Sequence, residues 1–406
     1  MRLAAGASVA ALSLILPACS APEAAPVAPS VSWAIVQQQA HGQTVSLWMY
    51  GGDEQGNRYV DTVLAPAAAA EGVTLRRVPI AATADALNKV LAERRAGVKE
   101  GAVDLVWVNG DNFGTGQQAG AWLCGWPSRL PNAALLDPHD LLLATDFGTP
   151  VEDCESPWHK AQFTLVYNAA AVQHPPKTLA GVLAWAQAHP GRFTYPAPPD
   201  FTGSVFVREV FASVSGGPSK VPAQFDQASY DRLSPELYSR LTDLAPSLWR
   251  QGKTYPQTSS ELNKLYSSQE VDLTMTYGPA TLTQLVANGT YPARTRVLTL
   301  DDGTVGNASF LAIPSTAAHT AGAQVVANLA LSVQQQTAKA RPSVWGQFPV
   351  LDPTRLAAPA RAAMAQAGQS PIVPSYERLS RNAHGELAAG WVPVLDEGWR
   401  RKVLQP

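Results

Sequence analysis

A nearly continuous apolar segment at residues 103–109 (VDLVWVN) constrains the fold more than any other feature of this sequence. Such a run is typical of a strand buried on both faces, as in a parallel sheet that helices cover on both sides. Strand-like segments also occur at residues 44–50 and 73–80, and a helix-like segment follows Thr83. This alternation of strands and helices predicts an α/β fold with a parallel sheet.

The same pattern restarts after a loop-rich region at residues 124–160. Further strand-like segments are 163–168, 192–197, 271–277 and 308–314. A helix at residues 178–189 is expected to end at Pro190-Gly191, because proline and glycine interrupt helices. The sequence therefore predicts two α/β units, each with its own sheet.

The composition is that of a folded protein with little net charge. Of the 406 residues, 46% are hydrophobic and 15% are charged, which is enough apolar material for large cores. The formal net charge of −2 and the scattered basic residues give no reason to expect a nucleic-acid partner.

The N-terminus has the features of an export signal. Arg2 is the only charge before an apolar stretch that ends at Leu16-Pro17-Ala18-Cys19, too short for a membrane span. This ending is similar to the lipobox of bacterial lipoproteins, in which the cysteine is lipidated, so residues 1–18 are predicted to be a signal peptide and Cys19 the lipid anchor. An ordinary secretory signal is the alternative. A lipid would be the only membrane anchor, since no other segment is apolar enough to span a bilayer.

Two further cysteines remain if Cys19 carries lipid. Cys124 and Cys154 form an even pair, and exported proteins rarely keep free thiols, so a disulfide is expected, with two buried thiols as the alternative. The Pro/Ala-rich segment at residues 20–30 is expected to be a semi-extended linker.

No catalytic signature is present in the sequence. We find no HExxH, CxxC, GxSxG or Walker A motif, and the histidines show no metal-ligand spacing. Gly114 begins a G-x-G-x-x-A segment, which is the pattern of a dinucleotide-binding turn when it directly follows a strand. Here residues 110–113 separate it from the strand, so a turn leading into a helix is the simpler explanation. We therefore expect no enzyme activity, no metal and no cofactor.

Four clusters of polar, aromatic and glycine residues lie where predicted strands end or a helix begins, the usual place for ligands in open α/β sheets. Capping or turn formation could explain any one of them, but their shared position favours a common cleft. The candidate ligand-binding residues are Trp48, Tyr50, Gly51, Gly52, Asp53, Trp107, Asn109, Asp111, Asn112, Asp200, Thr202, Gly203, Ser204 and Tyr277.

The expected ligand chemistry follows from these side chains. Trp48, Tyr50, Trp107 and Tyr277 could form flat walls for a ring or a cation. The helix start at residues 202–204 offers N–H groups and hydroxyls to an anionic group. Asp53, Asp111 and Asp200 are candidate partners for an amine or a hydroxyl. A thiamine-like compound, its phosphate, or an amine-bearing phosphonate fits this combination, and a neutral sugar remains an alternative.

Several long segments carry a family resemblance. They are VDLVWVNGDNF (103–113), FTLVYN (163–168), HPGRFTYPAPPDFTGSVFVR (189–208), LDDGTVGNASFLAIP (300–314) and WVPVLDEGW (391–399). With these segments the sequence resembles the YnjB-type ABC transporter solute-binding proteins from about residue 42 to residue 399. The resemblance implies a two-lobed Venus-flytrap protein of the type II periplasmic-binding-protein class, with a ligand cleft between the lobes and two chain crossings near residues 160 and 308.

The resemblance also implies domain boundaries and partners. The expected division is a signal peptide at 1–18, a lipidated linker and N-terminal arm at 19–42, lobe 1 at 43–160 and 309–345, lobe 2 at 161–308, and a C-terminal helical segment at 346–406. The expected partners are a small polar solute, an ABC permease and its ATPase, and the protein is expected to be exported and monomeric. An exported α/β hydrolase or other enzyme and a scaffold lipoprotein are the alternatives from other classes.

Overall fold

The computed structural model describes residues 26–108 and 110–405. The predicted signal peptide at 1–18, the predicted lipidation site Cys19 and the candidate ligand residue Asn109 lie outside the described residues. In the described part, no helix is long and apolar enough to cross a membrane.

The strands are β1 Thr44–Tyr50, β2 Thr74–Ile80, β3 Leu105–Val108, β4 Thr145–Asp146, β5 Thr149–Pro150, β6 Glu155–Gln162, β7 Thr164–Asn168, β8 Leu273–Thr276, β9 Thr295–Val297 and β10 Gly306–Ala312. The helices are α1 Trp33–Ala40, α2 Glu54–Tyr59, α3 Ala65–Ala70, α4 Thr83–Arg95, α5 Asp111–Gln118, α6 Leu141–Ala144, α7 Leu179–Ala188, α8 Phe201–Val214, α9 Gln227–Leu244, α10 Ser259–Ser267, α11 Leu282–Ala287, α12 Thr320–Ala330, α13 Val333–Ala340, α14 Ala358–Ala367, α15 Tyr376–Leu379 and α16 Trp391–Trp399.

Lobe 1 is built around a five-stranded sheet with the order β2-β1-β3-β10-β6. The strands β2, β1 and β3 pair in parallel, as the apolar segment at residues 103–109 predicts. The strands β10 and β6 add antiparallel pairs at one side. Separate hydrophobic clusters cover the two faces, one containing Leu105 and Leu311 and the other containing Val106 and Phe310.

Lobe 2 is built around a three-stranded antiparallel sheet with the order β8-β7-β9. Its core is a single large cluster of apolar residues to which α7, α8, α9 and α10 contribute. The segment at residues 192–197 was expected to be a strand and is not one, although Phe193 and Tyr195 are fully buried. Pro196 has no N–H group to donate to a ladder, and Pro198 and Pro199 follow it, so this segment makes isolated backbone hydrogen bonds but forms no strand.

Strand β6 is absent from the sequence-based prediction, which treated residues 124–160 as loops. Its sequence, ESPWHKAQ, is polar, yet most of its residues are buried. It leads directly into lobe 2, since only Phe163 separates β6 from β7. Hydrogen bonds link this passage to the return passage before β10, because the Gln162 Nε2 donates to the Thr304 carbonyl and the Phe163 N–H donates to the Val305 carbonyl.

The C-terminal tail makes a third passage between the lobes, in addition to the two passages that the sequence led us to expect. Helix α14 packs against α13, and its Met364 belongs to a core cluster of lobe 1. Helix α16 packs against α8 and α9, and its Trp391 and Trp399 are buried in the core of lobe 2. The tail is therefore an integral part of both lobes.

The N-terminal arm is attached to lobe 1. The Ala28 N–H donates to the Cys124 carbonyl, and the Cys124 N–H donates to the Pro26 carbonyl. The Arg129 guanidinium donates to the carbonyls of Ala28 and Pro29. Cys124 is joined to Cys154 by a disulfide, which confirms the predicted pairing.

Candidate functional site

A cavity of about 420 Å³ lies between the lobes. Lobe 1 contributes the start of α5 and the hairpin between β4 and β5, lobe 2 contributes the start of α8, and the tail contributes α16. Its lining residues are Asp111, Phe147, Pro198, Pro199, Phe201, Ser204, Arg208, Val392, Pro393, Asp396, Glu397 and Arg400.

Helix α8 begins at the cavity and is capped by Asp200. The Asp200 Oδ1 accepts hydrogen bonds from the N–H groups of Thr202 and Gly203, at 3.0 Å each. The Ser204 N–H donates to the Asp200 carbonyl. This is the usual arrangement of an N-cap aspartate, which satisfies N–H groups that the helix itself cannot pair.

One turn further along α8, Arg208 forms a buried ion pair with Glu386 of the tail. Two nitrogens of Arg208 donate to the two Glu386 oxygens at 2.9 Å, and a third donates to the Ser204 Oγ at 2.7 Å. Burial lowers the pKa of Arg208, but the charge and hydrogen bonds of Glu386 together raise it by more than burial lowers it. The pKa therefore lies above its ordinary value, and Arg208 stays charged. The Tyr277 hydroxyl also donates to Glu386, and burial followed by the Glu386 charge raises the pKa of Tyr277.

Two carboxylates face the cavity from opposite sides. Asp111 begins α5 in lobe 1, and Asp396 lies in α16 against lobe 2. The Ser204 Oγ donates to Asp396 at 2.6 Å. Burial raises the pKa of Asp396 and the negative charge of Asp111 raises it further, against the lowering effects of Ser204 and Arg208.

The hairpin between β4 and β5 brings an aromatic ring to the lobe boundary. Phe147 at its turn has a φ of 45° and its side chain is buried. Its ring centroid lies 6.1 Å from that of Phe201 and 5.6 Å from the Arg208 guanidinium carbon, both in lobe 2. Few non-glycine residues adopt such a φ, and they occur preferentially at functional sites.

The residue before Phe147 holds this hairpin against the end of β3. The Gly110 N–H donates to the Asp146 Oδ1 at 2.7 Å. Asp146 is buried, and burial raises its pKa well above the usual range, with further contributions from the charges of Asp111 and Glu386.

The structure brings some of the predicted ligand residues to this cavity. Asp111 and Ser204 line it, Asn112 lies beside Asp111, and the Tyr277 ring packs against Phe201 with centroids 5.1 Å apart. The Asp200 carboxylate and the Thr202 N–H are engaged in the helix cap and are not free for a solute. At Gly203, a Cβ atom would collide with the Pro196 carbonyl, so this glycine permits close packing.

Other predicted residues form a separate group in lobe 1. The Trp107 ring meets Trp345, the last residue assigned to lobe 1, edge-on with centroids 5.7 Å apart. The Trp345 Nε1 donates to Asp53, which also caps α2 by accepting the Gly56 N–H. The remaining candidates are two aromatic residues and two glycines at the end of β1, and none of them lines the cavity. They are Trp48, Tyr50, Gly51 and Gly52.

The sequence-based reasoning missed four main contributors, which are Phe147, Arg208, Glu386 and Asp396. For Arg208 a signal was available, because it lies in the apolar segment VFVREVF and a buried arginine requires a carboxylate partner. Its partner comes from the tail, at a sequence separation of 178 residues, and no local pattern indicates such a pairing.

Within the described ranges, no group of three or more His, Cys, Asp or Glu side chains could hold a metal ion. The polar groups at the cavity are carboxylates, a hydroxyl and guanidinium groups that already have carboxylate partners. This arrangement suits the binding of a small charged or polar molecule.

Comparison with known proteins identifies the family. The family model for bacterial extracellular solute-binding proteins matches residues 62–367, which is more than half of the chain. Protein YnjB of Escherichia coli (strain K12) is 36% identical over 368 residues, covering 90% of this chain and 92% of YnjB.

Solved structures share the fold. A crystal structure of a putative extracellular solute-binding protein from Bordetella parapertussis has a TM-score of 0.65 at 12% identity, covering 89% of this chain and 98% of that chain. The spermidine/putrescine ABC transporter substrate-binding protein PotD from Streptococcus pneumoniae has a TM-score of 0.60 at 12% identity, covering 87% and 97%. The expected two-lobed fold is confirmed, and the chain belongs to the exported bacterial extracellular solute-binding proteins, which capture solutes for ABC transporters.

Proposed function

We propose that this solute-binding protein captures a small organic amine, whose cation lies between Asp111 of lobe 1 and Asp396 of α16. The proposal rests on one observation. Both carboxylates line the same cavity, and neither has a basic side chain at ion-pair distance among the described residues. The two arginines of the lining are already paired, Arg208 with Glu386 and Arg400 with Glu397.

The electrostatics support a cation at this position. Burial raises the pKa of Asp396, the Ser204 hydrogen bond and the Arg208 charge lower it, and the Asp111 charge adds a smaller raising effect, so the two carboxylates repel each other weakly across the cavity. A cation between them would replace this repulsion by two attractive contacts, one to each side of the cleft. Because such a ligand binds the closed cleft better than the open one, it would shift the equilibrium towards closure.

The rest of the cavity suits an organic cation. Phe147 and Phe201 offer aromatic rings, and Pro198 and Pro393 add apolar surface. A cation over an aromatic ring gains about 0.5–2 kcal/mol, depending on how well it is desolvated. A volume of about 420 Å³ is within the usual range for small-molecule sites.

The anionic subsite expected at residues 202–204 is not part of this proposal. Asp200 already accepts the N–H groups of Thr202, Gly203 and Ser204, so these donors are not available to a phosphate or phosphonate. Of the solutes suggested by the sequence, an amine-bearing or thiamine-like cation agrees best with the cavity.

The test is calorimetric titration with a panel of primary amines, neutral alcohols of the same shape, and phosphonates. Only the amines are expected to bind. Asp111→Asn and Asp396→Asn should each weaken amine binding at least tenfold, since a hydrogen bond to a charged group contributes about 1.5–3 kcal/mol. Asp231→Asn, an exposed position on α9, is the matched control and should leave affinity unchanged. Binding of phosphonates, or unchanged amine affinity in both cavity variants, would refute the proposal.

The covalent anchor and the association state are further parts of the proposal. We infer that Cys19 carries lipid after removal of residues 1–18, on the pattern Leu16-Pro17-Ala18-Cys19, and that the protein acts as a monomer beside a permease and its ATPase. Mass spectrometry of protein expressed with its leader tests the anchor. A lipid mass on a fragment that begins with Cys19 is expected, and an unmodified cysteine would contradict it. Light scattering of the mature protein tests the association state.

The division of the chain into lobes is also part of the proposal. We keep lobe 1 at residues 43–160 and 309–345 and lobe 2 at residues 161–308. The sheets support passages close to these limits, because β6 ends at Gln162 and β10 begins at Gly306, and both strands belong to the sheet of lobe 1. Residues 346–406 are shared between the two lobes by their packing.

A further inference from the structure

A second acidic group lies just behind the cavity, in the interior of lobe 1. Asp146 and Glu155 are each 1% exposed. The Asp146 Oδ2 and both oxygens of Glu155 have no hydrogen-bond partner among the described residues. An unpaired buried carboxylate is costly, so a structure that keeps two together needs a compensating proton or cation.

The group adjoins the proposed solute site at two points of the chain. Asp146 immediately precedes Phe147, whose ring lines the cavity. Its Oδ1 accepts the N–H of Gly110, which immediately precedes Asp111. The charges of Asp111 and Glu386 act on Asp146, and the charge of Asp146 acts on Glu155. The carboxyl groups therefore form a series that leads from the cavity into lobe 1.

We propose that Asp146 and Glu155 form a second cation subsite, which receives the far ammonium group of a diamine whose near ammonium lies between Asp111 and Asp396. A primary ammonium carries three N–H donors, and the pair presents three acceptor oxygens without partners. This inference rests on the proposed amine function and specifies it, because it makes the preferred solute a molecule with two separated cations.

The proposal also predicts a proton-release signature, because we expect the buried pair to hold a proton when no cation lies beside it. Burial raises the pKa of both carboxyl groups well above the usual range, and the charge of Asp146 raises that of Glu155 further. A cation favours the ionised carboxylates, so entry of the ammonium should release a proton to the solvent. A monoamine that reaches only Asp111 and Asp396 should not release this proton.

The experiment compares diaminopropane, diaminobutane and diaminopentane with the monoamines of equal length, by calorimetry in buffers of different ionisation enthalpy. Wild-type protein should prefer one diamine over its monoamine at least tenfold and release a proton on binding it. Glu155→Gln should abolish both the preference and the proton release. Ser156→Ala, a buried hydroxyl at the next position of β6, is the matched control and should behave as wild type.

The remaining outcomes distinguish a failure of the second subsite from a failure of the proposed amine function. Equal affinity for mono- and diamines in the wild type, with equal proton release, overturns the second subsite whether or not Glu155→Gln folds. If Asp111→Asn and Asp396→Asn also retain full amine affinity, the proposed function fails as well. A thermal shift produced by potassium or sodium chloride but not by choline chloride, and lost in Glu155→Gln, would assign the pair to an inorganic ion and overturn its assignment to the solute.

Discussion

Replacing Asp200 distinguishes a capping role from the ligand contact that the sequence suggested. Asp200 accepts four hydrogen bonds, from the N–H groups of Thr202 and Gly203 and from the N–H and Oγ of Ser259, at 2.7–3.0 Å. Loss of an N-cap costs about 1 kcal/mol, and loss of the charge-assisted bonds to Ser259 about 2 kcal/mol more. Asp200→Ala should therefore lower the free energy of unfolding by about 3 kcal/mol.

The assay is urea denaturation followed by calorimetric titration of the solute. Asp200→Asn keeps an oxygen for the capping N–H groups but loses the bond from the Ser259 N–H, so it should lose about 1–2 kcal/mol of stability and bind the solute within threefold of wild type. Asp111→Asn should show the reverse, with little loss of stability and at least a tenfold loss of affinity. If Asp200→Asn lost affinity as strongly as Asp111→Asn while stability stayed unchanged, the assignment of Asp200 to the helix cap would be wrong.

Three further predictions concern the ion pair between Arg208 and Glu386, the disulfide, and the pH dependence of amine binding. Glu386→Ala leaves Arg208 buried without its partner and should cost about 3–5 kcal/mol in urea denaturation, whereas the double change to methionine at both positions should cost clearly less. Replacing Cys124 and Cys154 by serine should cost about 3–4 kcal/mol, because the disulfide closes a loop with a sequence separation of 30, and an unchanged urea midpoint would contradict this. Amine affinity should fall as pH drops, starting above the ordinary aspartate range, because burial and then Asp111 raise the pKa of Asp396; a calorimetric pH series should show a flatter profile for Asp396→Asn.

Local patterns predicted the elements of lobe 1 that rest on apolar periodicity. The segment at residues 103–109 indicated a doubly buried strand, and β3 pairs with neighbours on both sides. Strand β6 escaped prediction because its buried positions carry Glu155, Ser156 and His159, which resemble a surface loop when only the sequence is considered. Their burial depends on β10, which lies some 150 residues later along the chain.

Of the residues that line the cavity, the sequence pointed to Asp111, which follows a strand, and to Ser204, which lies at a helix start. Asp111 follows β3 and was found, whereas Glu386 and Asp396 come from a tail that was expected to be a separate helical segment. Asp200 was assigned to the ligand because a carboxylate before a helix fits both capping and binding. Only the geometry shows that its oxygens are already occupied.

The attachment of the N-terminal arm determines which half of the molecule can move freely. Residues 26–29 are bonded to Cys124 and Arg129, beside the disulfide, and all of these contacts are to lobe 1. With Cys19 held in a membrane, any pulling force along the linker would enter lobe 1 alone. A movement of lobe 2 about the three passages, at Phe163, at Val305 and in the tail, would then leave the tether unstrained.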